Sequence, residues 1–195
     1  SADAGYCPFQ PAKTVASHVT SNGYFFSGTT FNEFTSQGSI GLARNALRGE
    51  KMFVTTSSTI QTWINNGDPS FISIYELNGY VYFFLTEEAA ETSNTQVYSR
   101  VVRVCINDSS ILTYGFRTFQ KVRIMCTNAP DQSSLPYSYD QLKATTLVNG
   151  IMYGVFSSAA NGPKGAAICK FPFDSALAGN IPAAFGTGKY LGLTP

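Results

Sequence analysis

The stretch IYELNGYVYFF, residues 74–84, decides the fold class, because it places an Asn-Gly pair between two apolar runs. Asn-Gly is the preferred pair at the centre of a type I′ turn, in which both central residues take positive φ. The twist of this turn matches the twist of paired strands, so the stretch predicts a tight antiparallel hairpin. The same arrangement surrounds Asn22-Gly23 and Asn149-Gly150, which makes the hairpin a repeated unit.

Each hairpin is followed by small and polar residues and then by a third apolar stretch, at residues 38–44, 98–105 and 165–171. Two of the repeats also contain a fourth strand candidate, at residues 52–56 and 121–126. Repeated units of four antiparallel strands predict an all-β fold, a partial β-propeller with about three blades. We place these blades at about 14–58, 70–126 and 140–195 within a single domain. The alternative is a β-sandwich whose three hairpins use the same turn.

The composition excludes several classes of protein. Hydrophobic residues make up 44% of the 195 residues, which is more than a disordered chain contains. The net charge of +1 argues against nucleic-acid binding, which depends on clustered Lys and Arg. The longest apolar runs, such as residues 80–85, are too short to span a bilayer. We therefore expect a folded domain with neither a nucleic-acid partner nor a membrane span.

The four cysteines, Cys7, Cys105, Cys126 and Cys169, lie far apart and form no CxxC pair. With a single histidine, His18, their spacing does not match a zinc site. An even number of cysteines fits two disulfides in an extracellular protein, with three possible connectivities. The alternative is four buried free thiols in a cytosolic protein.

No group of residues predicts catalysis or a bound cofactor. His18 lies in a strand candidate with no GxSxG motif in the sequence, so an edge position on the surface is the simpler interpretation. Glu87, Glu88 and Glu91 form the densest acidic cluster, which we interpret as a solvated loop rather than a glycosidase pair. We predict that the chain is not an enzyme and has no cofactor or metal.

Two surface features remain. Asn107-Asp108-Ser109 is the only Asn-x-Ser/Thr sequence, and it falls in a predicted turn, so Asn107 is a possible glycosylation site. Basic residues alternate along two predicted strands, where period two places each pair on one face. This stripe could bind a glycan or an acidic partner, or its charges could be solvated or ion-paired on outer strands. Its residues are Arg100, Arg103, Lys121 and Arg123.

Several stretches, in order along the chain, resemble sequence motifs of semaphorins. The stretch YVYFFLTEEAAE, residues 80–91, is similar to the family's "YVYFFFRE-A-E" strand, and YSRVVRVCIND, residues 98–108, is similar to "SRVARVCKND". The other similar stretches are residues 7–11, 26–29, 118–126, 152–158 and 165–169. Together they cover nearly the whole chain.

The resemblance implies a sema domain, a propeller of about seven blades of which this sequence matches the middle. It also implies a disulfide between Cys126 and Cys169, whereas the usual partners of Cys7 and Cys105 lie outside this sequence. Cys7 and Cys105 could pair with each other, stay free or link chains.

The function implied is extracellular or cell-surface recognition of a protein partner, either a plexin-like receptor or a second copy, in a homo- or hetero-oligomer. The alternative is a structural extracellular, coat or matrix component that assembles through exposed blade edges.

Overall fold

The computed structural model describes residues 11–30, 38–45, 50–55, 64, 69–89, 96–108, 116, 118–128, 137–173 and 191–193. The first of its sheets consists of β1 (Ala16–Val19), β2 (Phe25–Thr30), β3 (Gly38–Asn45) and β4 (Glu50–Thr55). These strands follow one another in the sheet in chain order, and every neighbouring pair is antiparallel. This is the strand order expected for the first repeat.

The second sheet is larger than a single four-stranded repeat. Its main strands are β5 (Ser70–Leu77), β6 (Tyr80–Glu88), β7 (Val97–Cys105) and β8 (Gln120–Asn128), again in chain order. Two short strands also pair with β8: β13 (Leu191–Leu193) in parallel on the side away from β7, and β9 (Tyr137–Tyr139) antiparallel on the same side as β7, beyond the end of that strand. The sequence does not predict this parallel addition, because a three-residue strand carries no periodic signal.

The third sheet consists of β10 (Gln141–Val148), β11 (Ile151–Ser157) and β12 (Ala166–Pro172), all antiparallel. Within the described part of the chain this sheet has three strands. Among the described residues, no fourth strand corresponds to the outer strand of the first two sheets.

Two of the three Asn-Gly hairpins that the repeat predicts have the expected geometry. Asn78 and Asn149 have φ of 51° and 50°, and the glycine after each is also positive, so both close two-residue type I′ hairpins. The prediction is wrong for Asn22, which is not a positive-φ residue. There Val19 pairs with Phe25, and Thr20 closes a wider loop through hydrogen bonds between its backbone and side chain and the backbone of Tyr24.

Strand β6 is buried on both faces, because the second sheet lies between the other two. Val81, Phe83 and Leu85 pack towards the first sheet, in a core cluster that includes Phe26 and Phe71. A Cβ placed on Gly28 would meet the Phe71 ring at 2.2 Å, so only glycine allows that close approach of the first sheet. Tyr82 and Phe84 point the other way, into the core shared with the third sheet.

Candidate protein-recognition surface

The third sheet has one covered face and one exposed face. Met152 and Phe156 of β11 are fully buried in the core shared with the second sheet. Successive residues of a strand point to opposite faces, so Val155 faces away from that core. It is 37% exposed, and its cross-strand partner Ile168 of β12 is 65% exposed. We call the surface formed by Val148, Tyr153, Val155, Ile168 and Lys170 the outer face.

Directly opposed pairs make the outer face continuous across all three strands. Val155 pairs with Ile168 on one side and with Ala144 on the other. Tyr153 in turn lies opposite Thr146 of β10 and Lys170 of β12. Opposed side chains on one face of a sheet touch, so these residues form one patch rather than scattered apolar side chains.

The Asn-Gly repeat gives each residue of β11 a counterpart in β6. Tyr153 stands at the same distance after Asn149 as Tyr82 stands after Asn78, and Val155 corresponds in the same way to Phe84. Tyr82 and Phe84 are completely buried, since the third sheet covers them. The outer face of the third sheet therefore corresponds to the face of the second sheet that the third sheet covers.

The charge of the outer face has a single sign. Residues 141–173 contain no Asp or Glu, and their three lysines, Lys143, Lys164 and Lys170, are all exposed. The surface thus combines an apolar centre with basic side chains at its margin. A partner that covers it needs apolar side chains of its own and gains from nearby carboxylates.

Three members of the predicted basic stripe, Arg100, Lys121 and Arg123, are ion-paired rather than free. The prediction that Arg100 and Arg103 share a face is wrong, because they are three residues apart in a regular strand, and Arg103 lies over the Tyr80 ring at 4.5 Å. Arg100 and Arg103 are only 8% and 6% exposed. Arg100 Nε lies 3.2 Å from Glu87 Oε1, and Lys121 Nζ lies 2.5 Å from the same oxygen. The interpretation of Glu87 as part of a solvated loop is wrong, because β6 continues through Glu88 and leaves Glu87 1% exposed. Glu91 lies outside the described residues.

A second ion pair links the second sheet to the strand that enters the third. Arg123 Nη2 donates to Asp140 Oδ1 at 2.9 Å, and its guanidinium carbon lies 3.4 Å from the centre of the Tyr98 ring. Beside it, the Ser99 hydroxyl donates to the Asp140 carbonyl and accepts from the Leu142 amide, both at 2.6 Å. These contacts fix the direction in which β10 leaves the second sheet.

A disulfide joins the same two sheets. Cys126 of β8 and Cys169 of β12 are bonded, and both are fully buried. This is the pair that the resemblance implies. The thiol of Cys105, at the end of β7, is free and half-buried, while Cys7 lies outside the described residues. What Cys7 pairs with stays a prediction.

His18 lies in β1 and faces the second sheet. Its Nε2 is 3.7 Å from Glu76 Oε2, and the hydroxyl and backbone amide of Ser21 both donate to that carboxylate, at 2.6 and 2.7 Å. Partial burial acts to raise the pKa of Glu76, but the Ser21 hydrogen bonds and His18 together hold that pKa below its ordinary value. Because the Ser21 hydroxyl donates to Glu76 and not to His18, the three side chains do not have the order of a catalytic triad.

Within the described ranges, no helical segment has the length and hydrophobicity that a membrane crossing requires. Among the same residues, no three His, Cys, Asp or Glu side chains are grouped as metal ligands.

The sequence is similar to semaphorins over most of its length. It is 30% identical over 187 residues to Semaphorin 5c of Drosophila melanogaster. The aligned region covers 92% of this chain and 16% of that protein. It is 29% identical over 171 residues to human Semaphorin-5B, covering 85% of this chain and 14% of that protein. The chain thus spans about a sixth of the length of these curated relatives. No family model matches the chain.

Solved structures of semaphorins share the fold. The chain matches extracellular domains 1–2 of Drosophila Semaphorin 1b with a TM-score of 0.73 and 28% identity, over 94% of this chain and 34% of that one. It also matches a chain of the complex of Drosophila Plexin A with Semaphorin 1b, with a TM-score of 0.72 and 28% identity. These matches confirm the predicted all-β, partial-propeller fold and the extracellular or cell-surface location. The chain belongs to the semaphorin family and forms part of a sema domain.

Proposed function

We propose that this chain is an extracellular protein-recognition module whose partner is a plexin-like receptor. The observation that carries the proposal is the match to the structure of Semaphorin 1b bound to Plexin A, which extends over 94% of this chain. No step of the function requires covalent chemistry by the chain. The three blades, at about 14–58, 70–126 and 140–195, act as a rigid frame for the surfaces and loops that meet the partner.

The physical basis of recognition is surface complementarity. The second and third sheets are joined by a disulfide, an ion pair and a shared apolar core, so the frame changes little on binding. A rigid frame loses little conformational entropy when a partner docks, and affinity then depends on the few side chains at the centre of the contact.

Binding of the chain to an immobilised plexin ectodomain, measured by surface plasmon resonance, tests this function. Saturable binding that a soluble plexin ectodomain competes away supports the proposal. The control is chain reduced and unfolded in denaturant and then diluted, which should not bind. No saturable binding at micromolar concentrations of the native chain would contradict it.

A second function, self-assembly as a structural component, is favoured by the outer face. The sequence predicts assembly through exposed blade edges, whereas the exposed apolar side chains lie on a sheet face. Removing each of the exposed Val and Ile side chains from water contributes about 1 kcal/mol to association. Repulsion between the lysines opposes contact of two copies, so this association should strengthen as salt rises.

Analytical ultracentrifugation at several protein and salt concentrations, with reductant present, tests the second function. Replacing Val155 and Ile168 by Thr keeps the β-branched shape but removes apolar surface, and should abolish self-association. Lys143→Gln is the matched control on the same sheet and should not. A wild-type chain that stays monomeric at every concentration would contradict self-assembly and leave plexin binding to be judged by its own experiment.

A further inference from the structure

Asn107 is the exposed residue among the described residues 106–108 of a tightly held turn. It is exposed, whereas its neighbours Ile106 and Asp108 are only 5% and 4% exposed. The Ile106 amide donates to the carbonyl of Gly79 at 3.0 Å, which ties this turn to the hairpin between β5 and β6. The Asn107 side chain therefore stands in solvent at the hairpin end of the second sheet.

The middle residue of the sequon has a separate role. The Asp108 carboxylate accepts hydrogen bonds from the backbone amide and the hydroxyl of Thr118, at 2.8 and 2.6 Å. The Thr118 hydroxyl in turn accepts from the Cys105 amide at 2.8 Å. Because Asp108 is directed inward by these bonds, a substituent on Asn107 points away from them and disturbs none of them.

We propose that Asn107 carries an N-linked glycan. The chain belongs to an extracellular family, so its route of export passes the enzyme that modifies Asn-x-Ser/Thr sequences. That enzyme transfers an oligosaccharide from a lipid-linked diphosphate donor. A bond forms between Nδ2 of Asn107 and C1 of the sugar as the bond from C1 to the diphosphate oxygen breaks, the lipid diphosphate leaves with the electron pair, and the amide loses one proton to a base of the enzyme.

A glycan at this position closes part of the surface to protein contacts. It extends from the turn beside Asn78-Gly79, so that end of the second sheet is covered by sugar and water. The proposal does not depend on which protein the chain binds, and it can fail while the proposed function holds.

Mass spectrometry of the full chain secreted from a eukaryotic cell tests the proposal. We expect the intact mass to exceed the polypeptide mass, and peptide N-glycosidase to remove the excess and convert Asn107 to Asp. Asn107→Gln and Ser109→Ala should each abolish the excess mass, whereas Ser109→Thr, which preserves the sequon, should retain it. A secreted wild-type chain with the bare polypeptide mass would overturn the proposal without reference to any variant.

Discussion

The second and third sheets present the same hairpin position in two different environments. Tyr82 and Tyr153 correspond after their Asn-Gly turns, as do Phe84 and Val155, yet the first of each pair is wholly buried and Val155 is 37% exposed. The difference lies in the neighbour and not in the strand, because the third sheet covers the second and no described residue covers the third in the same way. The same hairpin position is therefore buried in one sheet and exposed in the other, according to which described sheet lies beside it.

The largest expected effect comes from truncating one apolar side chain in each environment. Phe84→Ala leaves a cavity between the second and third sheets, and we expect it to lower the free energy of unfolding by about 3–5 kcal/mol. Val155→Ala at the corresponding place should change that free energy by less than about 0.5 kcal/mol. Urea unfolding followed by circular dichroism measures both.

The same two variants also test whether the outer face is exposed in solution. If Val155→Ala destabilises the chain as much as Phe84→Ala does, then the outer face is buried in solution and the difference between the sheets disappears. Repeating the measurement at several protein concentrations would then show whether a second copy of the chain supplies the burial.

The disulfide holds the third sheet against the face of the second sheet that it covers. Cys126 and Cys169 are separated by 43 residues, and closing a loop of that length stabilises a chain by about 4 kcal/mol in the chain-entropy model. We expect the double variant Cys126→Ala/Cys169→Ala to lose about that much stability in thermal or urea unfolding. Cys105→Ala removes a free thiol instead and serves as the control, with little expected change. A double variant as stable as the parent would show that packing alone holds the third sheet in place.

Ser99 contributes a smaller, polar part of the same contact. Ser99→Ala leaves the buried Leu142 amide without the hydroxyl that accepts its hydrogen bond, which should cost about 1–3 kcal/mol. Hydrogen exchange at the Leu142 amide, followed by mass spectrometry, should accelerate in this variant. Ser157→Ala, at the end of β11, is the control, because its hydroxyl bonds only to the next carbonyl at 3.3 Å. Equal protection of the Leu142 amide in both variants would argue against Ser99 as the contact that directs β10.

The sequence predicts local hairpins better than it predicts which sheet faces are covered by a neighbouring sheet. Asn78-Gly79 and Asn149-Gly150 form the expected turns, because positive φ at both positions is a property of the residues themselves. Asn22-Gly23 has the same letters but a different turn, since Thr20 offers competing hydrogen bonds. The sequence of β11, IMYGVFS, is as apolar as that of a strand buried on both faces. The exposure of one of its faces therefore does not follow from the strand itself, because it depends on which sheets are adjacent.

The charged residues show the same limit of sequence reasoning. Alternation along β7 and β8 correctly places Arg100 and Arg123 in neighbouring strands, where they form a directly opposed pair. The partners that neutralise these charges, Glu87 and Asp140, come from strand and loop positions whose proximity depends on tertiary structure. A pattern of charges therefore predicts neighbouring strands, but the face that each charge occupies and the partner that neutralises it require the structure.

The smallest effect concerns the contact between the first and second sheets, which is polar at its margin. The pKa of Glu76 lies below its ordinary value of 4.5, so the carboxylate stabilises the folded chain above that pH, and the contribution is lost as the pH falls through the lowered pKa. The site is partly exposed, and we expect less than about 1 kcal/mol. In Glu76→Gln the extra loss of stability on acidification below about pH 4.5 should be absent.

NMR titration of the Glu76 carboxyl in the parent and in Ser21→Ala measures the cause directly, because losing the Ser21 hydroxyl should move that pKa upward. An unchanged pKa in Ser21→Ala would mean that this margin does not depend on the Ser21 hydroxyl, and that the first sheet is held mainly by the apolar packing around Phe26 and Phe71.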